Sequence, residues 1–172
     1  MDYKELVKAR YSVRKFSPQP VEDEKITSIL EAARVAPTAV NKQPYRLLVL
    51  KDKSNMEKLK ECTPYTFDAP MAIVVCACPQ EAWMRPYDGH NAAFIDASII
   101  GAHIMLAIHD LGLGATWVGH FDPAAMRRAY GIPATLEPVA VFPCGYPAAD
   151  AKPAHLHEKR RSLEEMVFYD HF

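Results

Sequence analysis

Met71-Ala-Ile-Val-Val-Cys-Ala-Cys78 is the most strongly β-patterned run in the chain and reads as its clearest strand. Upstream, Tyr45–Lys51 is rich in Leu and Val and reads as a second, buried strand, with a helix predicted at Ser54–Cys62 between the two. Downstream, residues 79–90 hold Trp83, Pro86, Tyr87, Asp88 and Gly89 and read as a lid-like loop. A long helix follows from about Asn91 to Leu111. It is apolar nearly all round, which suits a central or interface helix. Its end falls at Gly112-Leu113-Gly114, in keeping with a glycine cap. Ala115–Val118 and Val139–Cys144 complete four strands, with a short helix at Pro123–Tyr130 between them.

Toward the amino terminus, Glu22–Val35 places Ile26, Ile29, Leu30 and Ala33 at helical spacing and crowds acidic residues at its start. Pro37 stops that helix, and a polar loop runs on to Pro44. Asp2–Arg10 suits a short amphipathic helix. The tail from Pro147 is polar, carries Lys159-Arg160-Arg161, and finishes with an amphipathic Leu163–Tyr169. Helices flank strands without alternating regularly with them. That pattern favours an α+β layered domain over a doubly wound sheet.

With 172 residues, the chain is expected to form one domain over 1–172. A net charge of −1 gives no global attraction to nucleic acid or anionic membrane, so any anion site must be local. The stretch Phe94–Ile108 is too short for a membrane span and carries Asp96, Ser98 and His103. The start, MDYKELVKAR, lacks the apolar core of a signal peptide, so a cytoplasmic protein is expected. Cys62, Cys76, Cys78 and Cys144 form no CxxC pair and read as free thiols.

No hydrolytic motif is present: there is no GxSxG elbow and no HExxH. His103 and His109 lie six apart on the long helix and do not share a face, so no metal site is expected. The glycines at 112 and 114 follow a helix rather than a strand and lack the third glycine of a dinucleotide fingerprint. Three segments carry more chemistry. Arg10 and Arg14 flank Ser12, a set able to give a phosphate charge-assisted bonds and a hydroxyl donor; alone, it would pass for a solvated basic turn. Ala36–Pro44 sets polar side chains between a helix end and a strand, where an amide can read the edge of a heterocycle, or simply connect the two. Lys159-Arg160-Arg161 alone would be a solvated charge run.

Together these residues resemble the FMN-dependent nitroreductases. The Arg-x-Ser-x-Arg turn is Arg10, Ser12 and Arg14, and the loop signature is Pro37-Thr38-Ala39-Val40-Asn41-Lys42-Gln43-Pro44-Tyr45. Gly112-Leu113-Gly114 is followed by Trp117 and Gly119, and Gly145-Tyr146-Pro147 precedes the basic cluster and Leu163-Glu164-Glu165. The four motifs fall in the family's order along nearly the whole chain.

The resemblance implies an α+β sandwich with a mainly antiparallel sheet flanked by helices, assembled as an intertwined homodimer with FMN at the interface. It implies NADH or NADPH as reductant and a small electron-poor acceptor, nitroaromatic or quinone-like. Arg10, Ser12, Lys159 and Arg161 would hold the FMN phosphate and ribityl chain, with Tyr11 and Arg14 close by. Pro37, Thr38, Ala39 and Asn41 would reach the flavin from the partner, with Gln43 nearby, and Trp117, Val118 and Gly119 would line its site. Residues 147–172 would wrap the other subunit. No side chain is assigned acid–base work. Tyr11 stands where the family usually carries a basic residue or histidine, which shifts the phosphate grip toward the tail. The chain is also short for the family, so residues 64–90 would supply the lid. Narrower chemistries (ene reduction, dehalogenation, flavin destruction) and flavin binding without turnover remain open alternatives.

Overall fold

In the computed structural model, which describes residues 2–172, four strands form one antiparallel sheet in the order β1-β2-β4-β3. They are β1 (Tyr45–Leu50), β2 (Met71–Ala77), β3 (Gly114–Ala115) and β4 (Glu137–Gly145). The helices are α1 (Tyr3–Ala9), α2 (Asp23–Arg34), α3 (Lys53–Cys62), α4 (Ala93–Asp110), α5 (Pro123–Tyr130) and α6 (Leu163–Met166). The α+β, mainly antiparallel architecture expected from the sequence is the one observed.

Every residue of β2 is buried, because helices cover both faces of the sheet. Successive strand side chains point to opposite faces, so β2 divides its residues between two layers. Met71, Ile73, Val75 and Ala77 join a cluster with Ile26, Ile29 and Ala33 of α2, Ile100, Ile104 and Ile108 of α4, and Phe142 of β4. Ala72, Val74 and Cys76 face the other way, onto Met56, Leu59 and Cys62 of α3 and Met126 of α5. Burial also accounts for the thiols. It pushes Cys76 up to about 11 and Cys144 up to about 12, so both stay protonated and inert at neutral pH.

The strand expected over 115–118 is shorter than its sequence suggested. Only Gly114 and Ala115 ladder with β4, and Val118 rejoins it through an isolated bridge to Val141. The interruption matches Pro143. Val141 and Val118 exchange both backbone bonds, at 3.0 and 2.9 Å. By strand alternation Pro143, which has no N–H to offer, turns toward that same edge. Residues 116–117 are thereby released from the ladder, and Trp117 is free to pack edge-on against Phe142, 5.0 Å between ring centres.

α4 is the central helix of one layer. Although 18 residues long and strongly apolar, it buries a stripe of Ala93, Ala97, Ile100, Ile104 and Ile108 against the sheet and α2. Its end follows the expected glycine cap: Gly112 takes φ +75°, and Leu113 N–H reaches back to the Ile108 carbonyl at 3.0 Å. Residues 79–90, expected as a lid-like loop, fold as a turn closed on itself. Arg85 pairs with Asp88, Arg85 N–H donates to the His90 carbonyl at 2.9 Å, and Met84 bridges Asn91.

Candidate functional site

The Arg10–Arg14 turn and the Ala115–Gly119 segment, far apart in sequence, meet side by side. Ser12 forms a parallel bridge with Ala115, and Val13 N–H donates to the Ala115 carbonyl at 3.0 Å. The contact is built by size. Val13 is 1% exposed and sits so close over Gly114 that a Cβ there would lie 2.4 Å from Val13. Anchored by Val13, the turn presents its alternate residues, Ser12 and Arg14, away from the core.

Beside this junction lies a cavity of about 300 Å³ lined by Arg14, Tyr65, Phe67, Trp117, Gly119 and His120, together with Thr116 and Val118. Tyr65 stacks edge-on to His120 at 5.4 Å and is itself 43% exposed, so the cavity opens to solvent past it. A Cβ on Gly119 would meet nothing nearer than Trp117 Nε1 at 3.9 Å, so its bare Cα fronts open space. The 79–90 turn lines none of this cavity; the aromatic wall comes from Tyr65 and Phe67. The sequence pointed only to the broad span 64–90 for a cover, and no motif marked these two rings or His120.

The turn carries two guanidinium groups, Arg10 and Arg14. Arg14 donates weakly to the Ser12 carbonyl, at 3.4 Å. Among the described residues, neither Arg10, Lys159 nor Arg161 is ion-paired to a carboxylate. His109, near Arg10, is held below the usual histidine range, chiefly by burial and then by that guanidinium. The tail comes to the turn through Tyr11, whose ring meets His157 edge-on at 6.2 Å. Before that, residues 147–150 run along the chain's own 15–17: Phe16 bridges Pro147 and Ala148 N–H donates to the Lys15 carbonyl. Lys159 and Arg161 lie beyond His157 and are exposed.

Loop 37–43 lines no part of this cavity, so one chain brings together only two of the predicted segments. The loop is nonetheless sharply defined. Val40, Asn41 and Gln43 all hold left-handed φ, at 52°, 54° and 51°. Non-glycine residues in that region cost of order 1–3 kcal/mol each, and a β-branched valine is the least suited to it. Thr38 Oγ1 accepts from Gln43 N–H at 3.0 Å, and Asn41 Oδ1 accepts from Gln43 Nε2 at 3.1 Å. Among the described residues, and apart from Tyr45 N–H donating to the Gln43 carbonyl, one hydrogen bond ties the loop to the rest of the molecule: Ala39 N–H donates to Asp96 Oδ1 at 2.9 Å. In the sequence Asp96 drew notice only as a charge unsuited to a membrane span; its acidic identity in so apolar a helix was the available signal.

The Nitroreductase family model matches residues 7–64 and 61–146, a range holding the turn, the loop and the Gly-Leu-Gly segment. A protein of Methanothermobacter thermautotrophicus, named as a candidate NADH dehydrogenase/NAD(P)H nitroreductase, is 37% identical over 155 residues, covering 86% of this chain and 78% of its own. A crystal structure of a nitroreductase family protein from Clostridium difficile is 39% identical and superposes with a TM-score of 0.93 over 100% of both chains. A second Clostridium difficile structure, of an FMN-dependent nitroreductase, is 26% identical with a TM-score of 0.82, covering 98% of this chain and 99% of its own.

Proposed function

The chain belongs to the nitroreductase family, and from that premise we propose that it is an NAD(P)H-dependent oxidoreductase that carries FMN and reduces an electron-poor acceptor, nitroaromatic or quinone-like. The observation that carries this reading is the Ser12–Ala115 junction, which sets a cationic, hydroxyl-bearing turn beside a cavity walled by aromatic rings.

The residues present fit the cofactor. Arg10, Ser12 and Arg14 offer donors suited to a phosphate and a polyol chain. Gly119 leaves room that a Cβ would fill, as a flat ring requires of the backbone beneath it. FMN held there would supply the redox chemistry, hydride transfer from NAD(P)H to the acceptor. Arg10, Ser12, Lys159 and Arg161 hold the phosphate and ribityl chain, with Tyr11 and Arg14 beside them. Trp117, Val118 and Gly119 line the ring's site. The cations also offset the phosphate charge.

A homodimer completes this site. Pro37, Thr38, Ala39 and Asn41 approach from the second copy, with Gln43 nearby, which accounts for a loop so defined and yet absent from its own chain's cavity. Two exposed apolar surfaces support the assembly: Phe94 and Ile95 on α4, at 47% and 51% exposure, and Leu163, Met166 and Phe168 of the tail, which would wrap the other subunit.

The test is a visible absorption spectrum of the purified protein, repeated anaerobically with NADH and with NADPH. A flavin spectrum that bleaches and returns on adding a nitroaromatic or a quinone supports the reading. A spectrum that never bleaches leaves a flavin-binding protein without turnover. A colourless protein that takes up no FMN overturns it.

A further inference from the structure

We propose that Asp96 is a positioning residue, which locks loop 38–43 into its strained course through the Ala39 N–H and so presents that loop to the flavin. The second half of this inference rests on the function proposed above; the first half stands on the structure of the chain.

Asp96 is 1% exposed and lies in the first turn of α4, among the buried alanines Ala93 and Ala97. Burying a carboxylate in such surroundings is costly unless its oxygens are bonded. Here Oδ1 accepts from Ala39 N–H at 2.9 Å, while Oδ2 is buried with no hydrogen-bond partner. What the carboxylate adds is a charge-assisted grip on one backbone amide.

That amide belongs to the first residue of the 3₁₀ turn Ala39–Asn41, immediately before Val40. Val40 is 73% exposed, so burial within the chain does not repay its left-handed backbone. Strain held without an internal reward is preorganisation: the loop is kept in one shape for a surface outside its own chain. All other hydrogen bonds of residues 38–43, among the described residues, stay within the loop or pass to Tyr45. Asp96 is thus the tie that fixes the loop to the core helix.

The experiment compares Asp96→Ala, Asp96→Asn and Ala39→Pro with the unaltered protein. Asn keeps an acceptor oxygen in place. Pro removes the donor from the loop side without touching α4, and Thr38 (φ −133°, ψ 158°) already has the extended backbone that a following proline demands. Two quantities are read: the rate of tryptic cleavage after the exposed Lys42, and the FMN dissociation constant from quenching of flavin fluorescence. Asp96→Ala and Ala39→Pro are each expected to speed cleavage at Lys42 and weaken FMN about tenfold, the scale of losing one bond to a charged group, with Asp96→Asn restoring most of both. Should Asp96→Ala fail to fold, Ala39→Pro alone decides. Unchanged cleavage at Lys42 in the folded variants overturns the role of Asp96. Faster cleavage with unchanged FMN binding overturns the link to the flavin and leaves the anchor. If the unaltered protein binds no FMN, the proposed function falls while the protease result still judges the anchor.

Discussion

Strand β2 and the carboxy-terminal tail are both rich in large apolar residues, yet they meet opposite fates. All seven residues of Met71–Ala77 are buried, held from both sides by helices. Beyond Arg161 nothing is buried: Leu163, Met166, Phe168, Tyr169 and Phe172 are 53–102% exposed, and α6 is one turn closed by a capping box between Ser162 and Glu165. The strand's apolar residues find their complement inside the chain. The tail's do not, although the pattern is as deliberate. Apolar content alone therefore does not mark a core; the complement has to be present as well.

That contrast breaks most visibly in the core. Phe142→Ala, which empties the fully buried ring under Trp117, should cost about 3–5 kcal/mol in urea unfolding. Next comes Gly101→Ala. Its new Cβ would sit 2.6 Å from Trp117 and 2.9 Å from Phe142, overpacking worth about 1–3 kcal/mol by the same measurement. Smaller again, Asp122→Ala removes the oxygen that caps α5 at Ala124 N–H and Ala125 N–H, a loss of about 1 kcal/mol.

The pH dependence of stability sharpens the comparison further. Cys144 has its folded pKa raised to about 12 by burial, so the folded thiol keeps its proton where the unfolded one ionises. Stability from this group is intact below pH about 9 and drains as pH climbs from there toward 12. Cys144→Ala should reduce the loss of unfolding free energy between pH 8 and pH 10 by about 1.4 kcal/mol, read from urea unfolding at the two pH values. Last, Phe168→Ser in the tail should leave the unfolding of an isolated chain unmoved, and should act only on association, seen by light scattering.

Much of this was readable from residue order. The run at 71–78, the periodic Ile26, Ile29, Leu30 and Ala33, and the Gly112 cap each obey a local rule, and each appears within a residue or two of its expected limits. The Arg10–Arg14 turn and Trp117–Gly119 were legible as motifs, and their junction at Ser12 and Ala115 was the prize of folding. What stayed hidden was non-local. Pro143 interrupts β3 from a neighbouring strand, Arg85 and Asp88 close a turn that composition presents as loose, and Tyr65 and Phe67 reach the cavity from a segment without periodicity. The anchor from Asp96 to Ala39 spans 57 residues, and no spacing rule pairs a helix carboxylate with one amide in a distant loop.

The strand order carries a consequence for synthesis of the chain. β2 and β4 pair at the centre of the sheet, Met71 against Cys144, so the strand emerging early must wait for one made long after it. Until the ribosome has released Gly145, β2 can pair with β1 alone and keeps an open, uncharged apolar edge. Long-range antiparallel closure of this kind is intrinsically slow, and the half-made sheet is the species most prone to stick to its neighbours. Expression with added chaperone should therefore raise the soluble yield more for this chain than for one whose central strands are neighbours in sequence.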